Sequence, residues 1–234
     1  MLFEKGLKFI GVKTNKGFDS IHRNFVAALD KVGIKHKFQI RRINAKHAYC
    51  GTRNFSKITL RKLKVIKDYL DNGFDVLYSD LDIIFLKDPI PYLMDEIKDN
   101  DILILDDSYM YRESRGFRIT SKKLNPGFFF VRANERTSKL FSEPNLKDYK
   151  LLFKEGFYKK FFYFDDQDLI HNRIVKDEEI EIKYKTLPLN LFPNGKIIYN
   201  YSVSIEEAYI LHFNYVSSIS KIAKMKQHNV WYLN

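Results

Sequence analysis

Residues 76–91 read Val-Leu-Tyr-Ser-Asp-Leu-Asp-Ile-Ile-Phe-Leu-Lys-Asp-Pro-Ile-Pro, a β-prone run broken by Asp80 and Asp82. In an extended chain, positions i and i+2 share a side, so Leu81 is expected to face a core while both acids face out together. Strands avoid such pairs, because an ionised carboxylate buried without a partner is very unfavourable. A divalent cation between the two would account for them, since hard cations favour clustered carboxylate oxygens. Alone the Asp-x-Asp element is a weak signal, because such pairs also occur in solvated turns.

The flanking sequence supplies context. Upstream, Leu60, Leu63, Ile66 and Leu70 recur at helical spacing, with Ser56 expected as cap and Gly73 just past the end. Asp75–Ser79 then reads as a strand running into the acids. Nearer the N-terminus, Leu7–Val12 reads as a strand, Asp19 and Ser20 as caps of a helix stopping at Gly33, and Lys37–Ile40 as renewed extension. Further strands are expected at Ile102–Leu105, Phe128–Val131 and Tyr209–Phe213. Strands alternating with helices imply an α/β domain with a mostly parallel central sheet flanked by helices. Ligands of such sheets bind beyond the carboxyl ends of the strands, where the two acids fall.

At 234 residues, with 20 Phe and 15 Tyr, the chain suits one globular domain, 1–234. No window approaches about 18 consecutive apolar residues, so no membrane-spanning helix is expected, and the N-terminus lacks a signal-peptide core. The lone Cys50 fits a reducing compartment, and the expected location is cytoplasmic. The net charge of +11 is spread over the chain. With Lys, Ile, Asn, Phe and Tyr all plentiful, it reflects either an A·T-rich genome or a field that attracts an anionic ligand. Nucleic-acid binding would need a concentrated basic face, and only Arg41-Arg42 and Lys122-Lys123 form short runs.

Three later stretches carry polar groups suited to a ligand. Asn125-Pro-Gly127-Phe-Phe-Phe-Val-Arg132 reads as a turn into a strand. Its glycine either takes a conformation closed to other residues or leaves bare backbone beside a ligand whose hydroxyls the Asn125 amide would bind. Asp165-Asp166-Gln167-Asp168 opens a helix, with Asp165 as cap. The extra acids and the amide could grip a sugar's hydroxyls. His212 and Asn214 follow the last strand, with Lys221 and Lys224 a few residues on. A strand-end His could complete the site of the two aspartates, and Lys221 could neutralise phosphate charge.

In this order the elements resemble the nucleotide-diphospho-sugar transferases of glycosyltransferase A-type, Rossmann-like fold. They are most similar to the retaining family that includes plant xylosyl- and arabinosyltransferases and small viral and algal relatives. The resemblance runs over roughly residues 8 to 231. It rests on Phe55 to Lys62, Gly73, Ser79-Asp-Leu-Asp82, Asp88-Pro89, Asn125 to Arg132, and Asp166-Gln167 with Asn172. Leu187-Pro188, Phe192-Pro-Asn-Gly195 and His212-Phe-Asn214 complete it. Where that family has Gly shortly after His-x-Asn, this chain has Ser217 and Ser218.

The resemblance implies a glycosyltransferase that moves a sugar from a nucleotide-sugar donor, UDP-linked by family default, to a glycan or other hydroxyl acceptor with retention. It implies Mn²⁺ or Mg²⁺ held by Asp80, Asp82 and His212, and donor contacts from Thr14, Asn15, Lys62, Asp80, Asn125, Gly127 and Lys221. Asp166 and Gln167 would act at the reacting sugar. Tyr109–Lys123 reads as a loop over the site. The competing readings are a haloacid-dehalogenase-like phosphatase, a non-catalytic nucleotide-sugar binder and a nucleic-acid-binding protein. The phosphatase class expects Thr or Val where Ile84 stands, and an N-terminal rather than mid-chain motif.

Overall fold

The alternating pattern folds as one main sheet with helices on both faces. A computed structural model describes residues 6–14, 19–43, 53–107, 110–113, 116–119, 123–146, 148, 165–200 and 205–233. In chain order the elements begin β1 (Leu7–Thr14), α1 (Asp19–Lys31), β2 (Phe38–Ile43), α2 (Arg53–Asp71), β3 (Asp75–Ser79), β4 (Ile83–Phe85) and α3 (Ile90–Glu96). They continue with β5 (Ile102–Asp106), β6 (Met110–Glu113), β7 (Gly116–Ile119), β8 (Leu124–Val131), α4 (Glu135–Leu140) and α5 (Asp166–Val175). The last are β9 (Tyr184–Leu187), α6 (Gly195–Asn200), β10 (Ile210–His212) and α7 (Ser218–Gln227).

The main sheet runs β2-β1-β3-β8-β5-β9. β8 alone opposes its neighbours, and the other adjacent pairs are parallel. The sheet is therefore mostly parallel, as the pattern implied. Its central strands are largely apolar and buried because both faces are covered. Val76, Tyr78, Ile102, Ile104 and Phe129 pack under Leu63 and Ile66 of α2, Leu140 of α4 and Leu169 of α5. Leu77, Leu103, Leu105 and Phe130 face the other way, against Phe25 of α1, Phe85 of β4 and Leu93 of α3. β4 and β10 form a separate antiparallel ribbon, held by Ile21 of α1 and Met225 of α7.

Several local expectations need correction. β3 stops at Ser79, and Asp80–Asp82 form the bend into β4 rather than one face of a continuing strand. The bend is tied down from outside: the Asp80 N–H donates to the Gly127 carbonyl at 2.7 Å, and the Phe213 N–H to the Asp82 carbonyl at 3.0 Å. Ser56 lies buried inside α2 instead of capping it, because the helix is already formed at Arg53. The described parts of 109–123 are a hairpin, β6 against β7, rather than a structureless loop.

The Asn125-Pro-Gly127 stretch is not a turn. It is the first part of β8, where Ile104 pairs with Phe129 but Leu105 pairs with Asn125. Pro126 has no N–H to offer a ladder, so residues 126–128 step out of register with β5. Phe128 keeps its pairing with Ser79 of β3. This slip carries Gly127 to the Asp80 bend.

Candidate active site

A cleft of about 790 Å³ opens where β3 and β5 end and β8 begins, walled by α2, the start of α5 and residues 214–221. Of the sequence-derived candidates, Lys62, Asp80, Asp82, Asn125, Gly127, Asp166, Gln167, His212 and Lys221 all line it. Thr14 closes β1, and Asn15 lies outside the described residues.

One corner gathers Asp80, Asp82 and His212, whose ligand atoms lie within 4.8 Å of one another. Local pairing explains the meeting. His212 is opposite Ile83 in the β4–β10 ribbon, one residue past Asp82, and its Nε2 stands 3.5 Å from Asp82 Oδ1. Its buried Nδ1 has no hydrogen-bond partner among the described residues. Lys221, from the first turn of α7, donates to Asp82 Oδ2. Burial would raise the Asp82 pKa, but Lys221 and His212 outweigh it and hold the carboxyl well below the usual range. On the other acid, the Tyr78 hydroxyl donates to Asp80 Oδ1 at 2.7 Å.

Gly127 makes this corner possible through space rather than backbone angle. A Cβ there would stand 2.5 Å from His212 Cε1, 2.8 Å from Asn125 Oδ1 and 3.0 Å from Asp80 Oδ2. Its φ is not in the left-handed region, where Gly33 and Gly73 close α1 and α2. The expected strained turn is therefore absent, and bare backbone is what the site uses.

Next to this corner lies a buried ion pair. Lys62 meets Asp166 directly, with side-chain exposures of 7% and 8%. Lys62 also lies 3.6 Å from Asp80 Oδ1 and donates to the Pro126 carbonyl at 3.2 Å. Burial opposes its charge, yet Asp166 and Asp80 hold its pKa above the usual lysine range. Burial pushes Asp166 up against the pull of Lys62. The ammonium, expected at the donor phosphates, thus already serves two carboxylates and a carbonyl. Asp165 caps α5 as expected, in a reciprocal pairing with Asp168, and burial beside Asp166 and Asp168 pushes it up to about 7.

Asp107 escaped the sequence reading. It directly follows β5, is buried, and accepts hydrogen bonds from the amides of Asn125 (3.0 Å), Gln167 (2.9 Å) and Asn214 (3.3 Å). The available signal was positional: Asp106-Asp107 follows the apolar run Ile102–Leu105 much as Asp80 follows β3. Position at a strand end matters here, because Asp101 is equally buried but engaged by Arg136, Asn134 and the Lys183 N–H, away from the cleft.

The model for nucleotide-diphospho-sugar transferases matches residues 23–227. The chain is 26% identical over 195 residues to the UDP-galactose:fucoside alpha-3-galactosyltransferase of Dictyostelium discoideum, covering 79% of this chain and 29% of that protein. It is 23% identical over 215 residues to the beta-arabinofuranosyltransferase RAY1 of Arabidopsis thaliana, covering 81% and 36%. It therefore spans about a third of the length of these relatives. Its fold matches the galactosyltransferase LgtC, solved with donor and acceptor sugar analogues, at TM-score 0.56, 11% identity and coverage of 95% and 94%. It also matches a glycosyltransferase involved in glycosylating the major capsid of PBCV-1, at TM-score 0.56, 14% identity and coverage of 94% and 98%. At such identity the structural likenesses speak for the fold alone.

Proposed function

This chain belongs to the nucleotide-diphospho-sugar transferase family, and from that premise we propose that it is a metal-dependent glycosyltransferase. The donor is a UDP-sugar, the acceptor a glycan or other hydroxyl compound, and the anomeric configuration is retained. We further propose that residues 1–234 act as one catalytic domain, working in the cytoplasm. The lone cysteine favours such a reducing compartment. No helix among the described residues is long and apolar enough to cross a membrane. UDP-galactose in the name of one relative and arabinofuranose in that of another support a nucleotide-linked sugar and leave hexose and pentose both open.

The observation that carries the reading is the meeting of Asp80, Asp82 and His212 in a cleft that Asp166 and Gln167 also line. The donor set fits a divalent ion: carboxylates suit Mn²⁺ or Mg²⁺, and the imidazole tilts the choice toward Mn²⁺. When bound, such an ion would offset negative charge on the departing nucleoside diphosphate. Lys221 stands beside Asp82 and would exchange that carboxylate for the donor's phosphate as a point cation. In the same cleft, Asp166 is held by Lys62 and by its place at the start of α5, where helix N–H groups favour a carboxylate. It would stabilise or attack the anomeric carbon, with Gln167 beside it.

A panel of sugar nucleotides, assayed for hydrolysis and transfer with and without Mn²⁺, tests this. We expect metal-stimulated turnover of at least one UDP-sugar. Asp82→Ala should remove that stimulation together with activity, and Asp166→Asn should abolish transfer while nucleotide binding persists. Full metal-stimulated turnover by Asp82→Ala would overturn the metal site, and normal transfer by Asp166→Asn the role of that acid.

A further inference from the structure

Three amide side chains from distant segments converge on one carboxylate. Asp107 Oδ1 accepts from Asn125 Nδ2 at 3.0 Å and from Asn214 Nδ2 at 3.3 Å, and its Oδ2 accepts from Gln167 Nε2 at 2.9 Å. An ionised carboxylate only accepts, so each amide must turn its NH₂ toward Asp107 and its oxygen away. For two of them the oxygen meets a backbone N–H: Gly127 donates to Asn125 Oδ1 at 2.8 Å, and Gly195 to Asn214 Oδ1 at 2.6 Å. Gln167 differs. Its Nε2 also donates to the Leu124 carbonyl at 3.1 Å. Both of its N–H groups are thus engaged inside the protein, and Oε1 is the polar atom this cleft-lining side chain has left to present.

We propose that Asp107 is a positioning residue that sets the polarity of the sugar end of the cleft. It locks Gln167 with its carbonyl oxygen toward the substrate, so that this wall accepts hydrogen bonds from sugar hydroxyls and does not donate to them. The identity of that substrate rests on the transfer reading above, whereas the lock is a property of the free protein. The same carboxylate fixes Asn125, whose oxygen holds the N–H of Gly127, so one acid orders both the sugar wall and the backbone under His212.

Asp107→Asn is the informative change because it keeps the shape and replaces one acceptor atom with a donor. Turned to keep Asn125 and Asn214, the new amide confronts Gln167 with an N–H, and the Gln167 amide must reverse. Pairing this change with Gln167→Glu restores the contact between positions 107 and 167 with the polarity swapped: the amide at 107 donates to a carboxylate at 167, which still presents only acceptor oxygens to the cleft, while the Leu124 carbonyl loses its donor.

Two measurements on the full chain test the lock. In the ligand-free protein, the side-chain Hε protons of Gln167, identified by their loss in Gln167→Ala, should be protected from exchange in the wild type and lose protection in Asp107→Asn. Freely exchanging protons in the wild type overturn the proposal. In turnover of whichever sugar nucleotide the wild type uses, Asp107→Asn should lose about tenfold in kcat with donor KM within about twofold, the scale of one misdirected hydrogen bond. Gln167→Glu alone should be the more impaired, since it faces Asp107 with a second carboxylate and the Leu124 carbonyl with no donor, and the double variant should regain the part of the loss that comes from the 107–167 contact. A double variant as poor as the worse single, or Asp107→Asn with wild-type kcat, overturns it. Protected Gln167 protons in a chain that turns over no donor support the lock and refute the transfer reading instead.

Discussion

Both ends of α5 bury a charged pair, and the two are built differently. Toward its end, Arg173, 1% exposed, reaches both Asp148 oxygens at 2.9 and 2.7 Å and the carbonyls of Leu140, Ser142 and Glu143. Seven residues earlier, Asp166 meets Lys62, and both line the cleft. The first pair is closed: the guanidinium is surrounded by acceptors that belong to the fold. The second is open on one side to an incoming ligand. A buried pair is a poor source of net stability, yet breaking one strands a charge. What separates a fold-holding pair from a site-holding one is therefore which side is left open.

That contrast can be broken in three ways. Arg173→Met leaves Asp148 buried without its cation and three carbonyls without a donor, so it should lose about 3–5 kcal/mol of stability. Denaturant titration reads this, and the folded fraction should keep its affinity for donor nucleotide. Lys62→Met strands a buried carboxylate that lines the cleft instead of being enclosed by the fold, so the expected loss is smaller, about 1–3 kcal/mol. A loss as large as that of Arg173→Met would erase the distinction.

The third test uses pH. Burial beside Asp166 and Asp168 pushes Asp165 up to about 7 from an ordinary value of 3.8. Between these values the folded state holds a proton that the unfolded chain releases, so this acid lowers stability as pH rises and its effect levels off above 7. Asn caps helices as well as Asp does. Asp165→Asn should therefore gain on the wild type progressively from about pH 4 to 7, by up to about 4 kcal/mol. An unchanging difference across that range in thermal melts would show that the acid is already solvated.

The sequence made much of this legible where the signal was local. The strand Asp75–Ser79 was read to its observed bounds because apolar residues fill it and Gly73 precedes it. The Asp165 cap was legible because capping is decided within four residues. Gly127 was read as a turn because Asn-Pro-Gly is strong turn chemistry, but here the proline's missing N–H became a register slip inside a strand. Ser56 looks like a helix start by residue type, although α2 already runs from Arg53. Asp107 stayed hidden for a different reason. Its three partners come from positions 125, 167 and 214, and no local pattern announces such a meeting.

The reversal of β8 gives the molecule a place to vary. The chain leaves the sheet at Asp107 and re-enters at Lys123, and the Asp107 N–H clips the exit to the Lys123 carbonyl at 2.8 Å. Because β8 runs backwards, its opening residues, already fastened to the Asp80 bend through the Gly127 carbonyl, are the ones that line the cleft. The stretch between exit and return is thus a cassette on a stapled base. Its length and composition can drift or be exchanged at little entropic expense, with the cleft-lining groups left where they are.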